Sequence, residues 1–546
     1  MNARKKPLAS APRSERQHTA ALALLALAGV LLLFFRAREL PHAAANEAAE
    51  LRPLAHANIR SVDKPATRVV HKSDAPAKSE PKWMHPVAPV APPHTKTLAE
   101  LSELSVCERE RGLALIDVIR ASGSKFCAAG GGDTTKVTLF DVRGGIKSAV
   151  FENLHLDLTD AKIHRPIKDL SQDGSSHDPR FVFHPNLLRC RCGELASRAK
   201  ATPPAPLKIW ETALARVNTK RDPAATICDP ALRAFAPPKP SDEGVVEFTE
   251  PVVLISRRDD HNPFFQVSNA LNGWIMVKAL GWDLAKTRVV HFDAGFPSPV
   301  DALHQKLLSP SFELVRGDTL MGKRVHFKGE VLLSPWEVSG PMMQHLNDKE
   351  PCYSSQLLKD FRRLALMTMG VPTAKTVVPV DTGASVVTVT VITRRPYMGR
   401  KVQRVWRNED EIVSRMRAEY ADLHVAFESV EFVDLTLQKQ MEVVVNSDVV
   451  IGMHGAGMVN VLWARPGMLV VEIFPKERRR WGYRNLCQFL DCDWREFRGG
   501  ADVGGKPKDA NSKDKTIPYS EWKAFFDEPF RTRYAQVQER ETDLAE

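Results

Sequence analysis

The stretch SDVVIGMHGAGMVNVLWARPGMLVVEIFP, residues 447–475, constrains this chain more than any other. A short β-branched run (448–451) suits a buried parallel strand. Gly452, Gly455 and Gly457 then punctuate a turn where a bare backbone is useful. Residues 458–463 can form a short helix, Pro466 and Gly467 end it, and residues 468–474 resume as a strand. A glycine bend leading from a strand into a helix directs backbone N–H groups and a positive helix end at whatever lies above the sheet, and a diphosphate suits that position.

The rest of the chain is consistent with a large α/β protein. From residue 245 onward strands and helices alternate: VVEFTEPVVLISR, a helix over 264–278, a strand from Arg288, FELVRGD, VHFKGEVLLSP and a helix over 354–369. A second cycle starts with SVVTVTVITRR at Ser385. It continues through a helix over 409–420, a strand at 430–433 and a helix over 437–446, and then enters the glycine stretch. Two α/β units in sequence, with strand ends aimed at a shared cleft, are expected. Upstream, residues 98–119 have helical spacing and 137–158 read as paired strands. Residues 161–240 give mixed signals and are taken as irregular.

Near the N-terminus, residues 19–35 are apolar and uncharged and follow Arg4, Lys5, Lys6, Arg13 and Arg16. This predicts a single signal anchor with a cytosolic tail over 1–18. Residues 36–97 mix Pro, Ala, Lys and His without apolar periodicity, as a disordered stem would. Residues 1–100 hold 15 Lys and Arg against 8 Asp and Glu, a net +7 out of the chain's +10. The remainder carries only +3, which removes most compositional support for nucleic-acid binding. Eight cysteines, at 107, 127, 190, 192, 228, 352, 487 and 492, suggest disulfides in a chain carried across the membrane. Cys190 and Cys192 lack a second CxC or CxxC pair, so no zinc site is expected there.

Several residues could carry chemistry. His454, in HGAG, could donate to a phosphate oxygen or hold the loop; Gly455, Ala456, Gly457 and Asn460 accompany it. Glu472, near the end of the next strand, could accept from ribose hydroxyls. Arg394 and Arg395 follow a β-branched run at its carboxyl end, where a guanidinium can fork onto a diphosphate. Arg400, Lys401, Arg404 and Arg407 add charge nearby but read as an exposed face. In SRRDDHNPFF, Arg257 and Asn262 are candidates for substrate contact. Asp259, Asp260 or His261 could act as the general base, a role commonly worth about 10²–10⁴ in rate. The DCD triplet at 491–493 reads as the end of a helix over 484–490 rather than a metal site.

These segments together resemble glycosyltransferase family 61, which includes plant core β-1,2-xylosyltransferases and the animal EGF-domain O-GlcNAc transferase. IGMHGAGMVN with VVEIFP carries the likeness, and ITRRPYMGRKVQRVWRNEDEIV is similar to the family's arginine segment. RRDDHNPFFQVSNALNGW and HFKGEVLLSPWEVSGP resemble its earlier blocks. The resemblance implies a GT-B-type pair of Rossmann-like domains, here an acceptor-side domain over 98–380 and a nucleotide-sugar-binding domain over 381–546. It further implies type II anchoring in the Golgi or endoplasmic reticulum, with the catalytic part lumenal. The implied reaction is inverting transfer of one sugar, xylose favoured, from a UDP-sugar to a glycan or glycoprotein hydroxyl, with no cofactor or metal required. An O-GlcNAc transferase and a non-catalytic homologue are the alternatives. Phe265 and Asn269 stand where members commonly carry histidine and aspartate. An esterase, suggested by HGAG, would need a GxSxG elbow that the chain lacks.

Overall fold

The computed structural model describes residues 96–128, 134–142, 146–168, 177–182, 188–189, 194–195, 244–343, 352–376, 385–396, 402–506 and 508–545. The expected tail, anchor and most of the stem lie outside them, as do Cys190, Cys192 and Cys228. No helix among the described residues is long and apolar enough to cross a membrane.

Three short helices open the described chain: α1 (Leu98–Ser102), α2 (Val106–Arg111) and α3 (Ala114–Ser122). The helical spacing of residues 98–119 is thus realised as separate helices. The breaks have local causes: Ser105 caps α2 by accepting from the Glu108 N–H, and Gly112 closes it where a Cβ would collide with the Glu108 carboxylate.

Ten strands build the first sheet: β1 (Ser124–Ala128), β2 (Lys136–Asp141), β3 (Lys147–Asp157), β6 (Leu188–Arg189), β7 (Glu194–Leu195), β8 (Val245–Phe248), β9 (Val252–Ile255), β10 (Arg288–His291), β11 (Val315–Arg316) and β12 (Arg324–Leu333). The main order is β11-β10-β9-β12-β3-β2-β1-β7. Strands β8 to β12 run parallel, and β3 turns the sheet antiparallel. The sheet is therefore mixed: its β8–β12 half is parallel, as a mainly parallel α/β unit would be, and its β1–β3 half is antiparallel. The edge of β12 is shared by β8 and then β9, and the chain crosses between them over Gly329. A Cβ there would lie 2.7 Å from the Thr249 carbonyl, so a close backbone approach demands glycine. A separate pair, β4 (Ile163–Arg165) and β5 (Asp178–Phe181), is antiparallel.

The second sheet contains β13 (Val387–Ile392), β14 (Val425–Val430), β15 (Val449–Met453), β16 (Leu469–Ile473) and β17 (Asp493–Phe497). All pairs are parallel, in the order β14-β13-β15-β16-β17. The strand expected at 430–433 is shifted: β14 ends at Val430, and residues 432–434 form a 3-10 turn. A hairpin, β18 (Ala501–Val503) with β19 (Asp514–Thr516), follows.

Helix α4 (Pro263–Leu280) follows β9, and α5 (Gln356–Thr368) precedes the second sheet. The second sheet's helices are α6 (Glu409–Glu419), α7 (Leu437–Asn446), α8 (Gly482–Phe489) and α9 (Tyr519–Ala545). One hydrophobic layer joins the two sheets. Val253 and Ile255 of β9, Phe264, Leu271 and Trp274 of α4, and Phe361 of α5 belong to the same core as Val450 of β15, Leu462 and Trp463, and Val470 of β16. Alternate residues on the same strands face separate outer cores. Val252 and Leu254 pack on one outside; Val449, Ile451, Val471 and Trp522 pack on the other. Both faces of both sheets are covered, which explains the near-continuous apolar runs in the strands.

Candidate functional site

In the second sheet the strand order reverses between β13 and β15. Crossovers leave to opposite sides there, which opens a crevice at the carboxyl ends of those two strands. Arg394 follows β13 by two residues and His454–Gly455 follow β15 directly, so the sequence's two leading candidates arrive at one point. The Arg394 guanidinium lies over Gly455: a Cβ on that glycine would be 2.0 Å from Nη1. Arg394 also donates from Nη2 to the Gln403 carbonyl at 3.1 Å. Gly455 has φ 172°, an extended conformation open to any residue, so proximity to Arg394 is what requires glycine. Residues Ala456–Trp463 continue as a 3-10 helix.

Two more arginines converge here. Arg404 donates from Nε to the His454 carbonyl at 2.7 Å and from Nη1 to Asn511. Its backbone has φ 60°, a left-handed conformation uncommon outside glycine. Burial, and then neighbouring Arg394, lower its guanidinium to about 10. Arg478, in the loop after β16, is lowered to about 10 by burial and by Arg480 and Arg404. Its Nε is buried with no hydrogen-bond partner among the described residues. All three guanidiniums act on the buried Tyr483, whose hydroxyl burial pushes well above the ordinary phenol range. Cations pressed together in a partly dry site favour an incoming anion. Arg404, expected on an exposed face, is thus a structural member of the bend, and Arg478 was not anticipated at all. Nothing in the runs KVQRVWR and KERRR marks which arginine turns inward.

His454 holds the bend. Its Nδ1 lies 2.6 Å from Glu472 Oε1, and its ring stacks on Phe474 with centroids 4.8 Å apart. Burial lowers its pKa, against the pull of Glu472, so the ring is neutral at pH 7, donating Nδ1–H to the carboxylate. Glu472 is buried, and its second oxygen accepts from Trp494 Nε1 at 2.9 Å. Both oxygens are engaged within the protein, so Glu472 positions His454 and does not serve as the expected ribose acceptor. Asn460 is likewise committed: it donates to Gln440 and Gly457 and accepts from Trp463 Nε1 within the core. Arg395 turns the other way and pairs with Asp410 at 3.1 Å, with Glu409 and Glu431 beyond. Gly457 and Ala456 are half-buried on the 3-10 helix.

The first sheet reaches the same place through α4. Phe264, in its first turn, meets Tyr483 edge-on at 5.5 Å, and Tyr483 meets His454 at 5.6 Å. The loop 256–262 at the carboxyl end of β9 therefore adjoins the glycine bend. Within it most predicted residues have internal work. Arg257 is fully buried and forks onto Asp293 (Nη2 to Oδ1 2.7 Å), with Asp301 and the Phe296 carbonyl on Nη1. It braces the ends of β9 and β10 and cannot touch a substrate. Asn262 caps α4, accepting from the Phe264 N–H at 3.2 Å. Asp260 is buried between His177 Nε2 (3.3 Å), His261 Nδ1 (2.6 Å) and the Phe296 N–H (2.5 Å). Burial opposes its ionisation, yet the adjoining His177 and His261 rings hold it well below the usual carboxylate range. A carboxylate so placed is no general base. His261 has both its ring against Asp260 and little exposure. Asp259 is half-buried and accepts the His261 N–H at 3.3 Å, and of the three candidates it alone stands outside the close His177–Asp260–His261 group.

Beside it, Glu337 is fully buried and pairs with Arg258 (3.3 Å to Nε, 3.1 Å to the backbone N–H). Burial raises Glu337 to about 8, with Asp259 adding repulsion. The Arg258 guanidinium lies over both Phe265 (5.3 Å) and Trp336 (5.5 Å). Phe265, one of the two departures noted in the sequence, thus packs against a cation. Asn269, the other, is buried in α4 and its Nδ2 finds no hydrogen-bond partner among the described residues. The DCD triplet follows the end of α8: Asp491 sits at φ 60°, Cys492 is bonded to Cys487, and Asp493 opens β17.

Compared with known protein families, residues 179–471 match the model described as Glycosyltransferase 61. The chain belongs to glycosyltransferase family 61. The match spans β9, α4, the arginine segment and the glycine bend, and it stops within β16. Among curated proteins none matches the chain significantly. The chain is accordingly a glycosyltransferase with a mixed α/β fold.

Proposed function

We propose that this family 61 member transfers one sugar, xylose favoured, from a UDP-sugar to a hydroxyl of a glycan or glycoprotein, with inversion. The observation that carries the reading is the Arg394 guanidinium seated over Gly455 at the switch point of the second sheet, with Arg404 and Arg478 beside it. A diphosphate laid across that bend meets three cations and no competing carboxylate on the glycine itself. In the reaction the acceptor O–H gives its proton to Asp259 as the oxygen attacks the anomeric carbon. The bond from that carbon to the β-phosphate oxygen breaks, and the electron pair stays on UDP. Guanidiniums fixed in place stabilise charge that grows as UDP leaves. Glu472 and His454 set the bend's shape; Asn262 sets the start of α4. We also propose a lumenal location behind the N-terminal anchor, in the Golgi or endoplasmic reticulum, on the basis of residues 19–35 and the paired cysteines.

The test is UDP release from a panel of UDP-sugars with glycan acceptors. Release with one sugar and an acceptor supports the reading, and no release with any pair removes it. Arg394→Ala should weaken UDP binding about 10- to 100-fold, the worth of a charge-assisted contact, and lower kcat/KM about 10²–10³-fold. Unchanged UDP affinity would remove Arg394 from the site.

A further inference from the structure

The residues His177, Asp260 and His261 pose a problem of proton placement. His177 Nδ1 lies 3.2 Å from the Arg165 carbonyl, and Nε2 lies 3.3 Å from Asp260 Oδ2. Both neighbours are acceptors, so a neutral ring with a single N–H cannot satisfy both. With the proton on Nδ1, Nε2 faces a carboxylate, a contact that calls for positive charge at that nitrogen: either a second ring proton, toward which Asp260 raises the His177 pKa against the effect of burial, or a metal ion. His261 repeats the pattern. Its Nδ1 is 2.6 Å from Asp260 Oδ1, yet that oxygen is aligned with no hydrogen-bond donor among the described residues. Nearness without alignment is what lone pairs aimed at a common third point produce.

We propose that His177 Nε2, the Asp260 carboxylate and His261 Nδ1 are the three protein ligands of a divalent transition-metal ion of the zinc class. The three donor atoms lie within 4.8 Å of one another. Metal–ligand bonds of about 2.0–2.1 Å at a tetrahedral ion place neighbouring ligands about 3.3 Å apart, which is the His177–Asp260 separation, whereas His261 Nδ1, 2.6 Å from Asp260 Oδ1, must draw back from that oxygen when the ion enters. Two nitrogens and one carboxylate oxygen suit such an ion, and three protein ligands leave a fourth position for water. The surroundings are built for it. The Arg165 carbonyl fixes the His177 tautomer from behind, and the Phe296 N–H holds Asp260 Oδ2. The side chains of His177 and His261 are 4% and 7% exposed, and that of Asp260 is fully buried. Nearby Arg257 does not neutralise Asp260, because Asp293 and Asp301 already engage its guanidinium.

A second His–Asp–His group shows the contrast. His304 Nε2 must donate to the Gln266 carbonyl at 3.0 Å, so its Nδ1 accepts from His291 Nε2–H, also at 3.0 Å. Protons account for every contact there, and no ion is called for. At His177 a single proton does not, and the buried Asp260 Oδ1 is left without an aligned donor among the described residues. The ion would tie the residue leading into β5 to the loop that carries Asp259 and Asn262, fixing that loop from outside its own element. This site does not depend on the diphosphate reading.

The full chain, purified without chelator, is given one equivalent of Zn²⁺, desalted, and its metal measured by elemental mass spectrometry. About one zinc per chain is expected in the parent protein and in Arg394→Ala, with most of it lost in His177→Ala and His261→Ala. A parent protein that keeps none, or triad variants that keep it all, overturns the proposal. Should the variants fail to fold, Co²⁺ loaded into the parent protein decides the matter. Visible bands of a four-coordinate ion, abolished by added Zn²⁺, are expected, and a spectrum no different from free Co²⁺ refutes the site.

Discussion

Gly455 permits a clean separation of fold from site. Its extended φ accepts any residue, and the atom a Cβ would strike is the mobile end of Arg394. Gly455→Ala should therefore leave stability within about 0.5 kcal/mol while driving the guanidinium off the bend. Calorimetric titration with UDP should show an affinity loss like that of Arg394→Ala. Gly457→Ala, whose Cβ would meet only Ile392 at 3.6 Å, should bind normally. Glu337 supports a prediction of a different kind. Its carboxyl is raised to about 8 from an ordinary 4.5, chiefly by burial. A raised folded pKa stabilises the protein below 4.5 and withdraws that stability as pH climbs to 8, since burying the ion is costly. Thermal midpoints of the parent protein should fall between pH 5 and 8.5, and Glu337→Gln should flatten part of that fall. Equal slopes in both proteins would contradict it. His454 could be picked from the sequence because the glycines beside it mark a strand end, and Arg394 because it follows a β-branched run at its carboxyl end. Arg257, Asp260 and Glu472 also stand at or just past strand ends, and Asn460 follows the glycine bend, yet each is consumed by an internal partner that only the fold supplies. A polar residue at a strand's carboxyl end looks alike in sequence whether it braces or binds.

At the scale of elements, α4 was legible and its setting was not. Asn262 followed by Pro263 is a helix start, and Gly281 in the left-handed region (φ 70°) is a helix stop. Between them the helix is buried nearly all round, with Gln266, Ser268, Asn269 and Asn272 inside as well as Leu271 and Trp274. Its polar residues meet the loop after β12, where Asn272 donates to the Trp336 and Ser339 carbonyls. That loop is distant in sequence, so no periodicity could reveal it. The cap assignment of Asn262 has a consequence that a substrate role would not. Asn262→Ala should cost about 0.5–2 kcal/mol of stability, and Asn262→Ser should recover most of it, with KM for donor and acceptor unchanged in both. A raised KM in the serine variant would return Asn262 to the substrate.

For the molecule as a whole, the packing between the two sheets was not legible in the sequence, for a physical reason. The unbroken apolar runs of β9 and β15 report that both faces of each strand are covered, but not that one and the same layer of helices covers the inner face of both sheets. Cross-linking adds to this unity. Cys107 on α2 is bonded to Cys352, just ahead of α5, across a sequence separation of 245. Around it Arg111 Nη1 lies 2.8 Å from Cys352 Sγ, and Ser355 Oγ donates to the Arg111 carbonyl at 2.5 Å. Cys487–Cys492 closes a separation of only 5. Loop-closure entropy grows with the logarithm of loop length, so the long link should stabilise by about 3 kcal/mol more than the short one. Denaturant titrations of Cys107→Ser/Cys352→Ser and Cys487→Ser/Cys492→Ser should show that gap, with both members of a pair replaced so that no thiol is left to mispair. Because the long link fastens the N-terminal helices to the layer beneath both sheets, its loss should also expose residues 98–122 to proteolysis before the rest of the chain unfolds. Cleavage spread evenly along the chain would mean that those helices are held by packing alone.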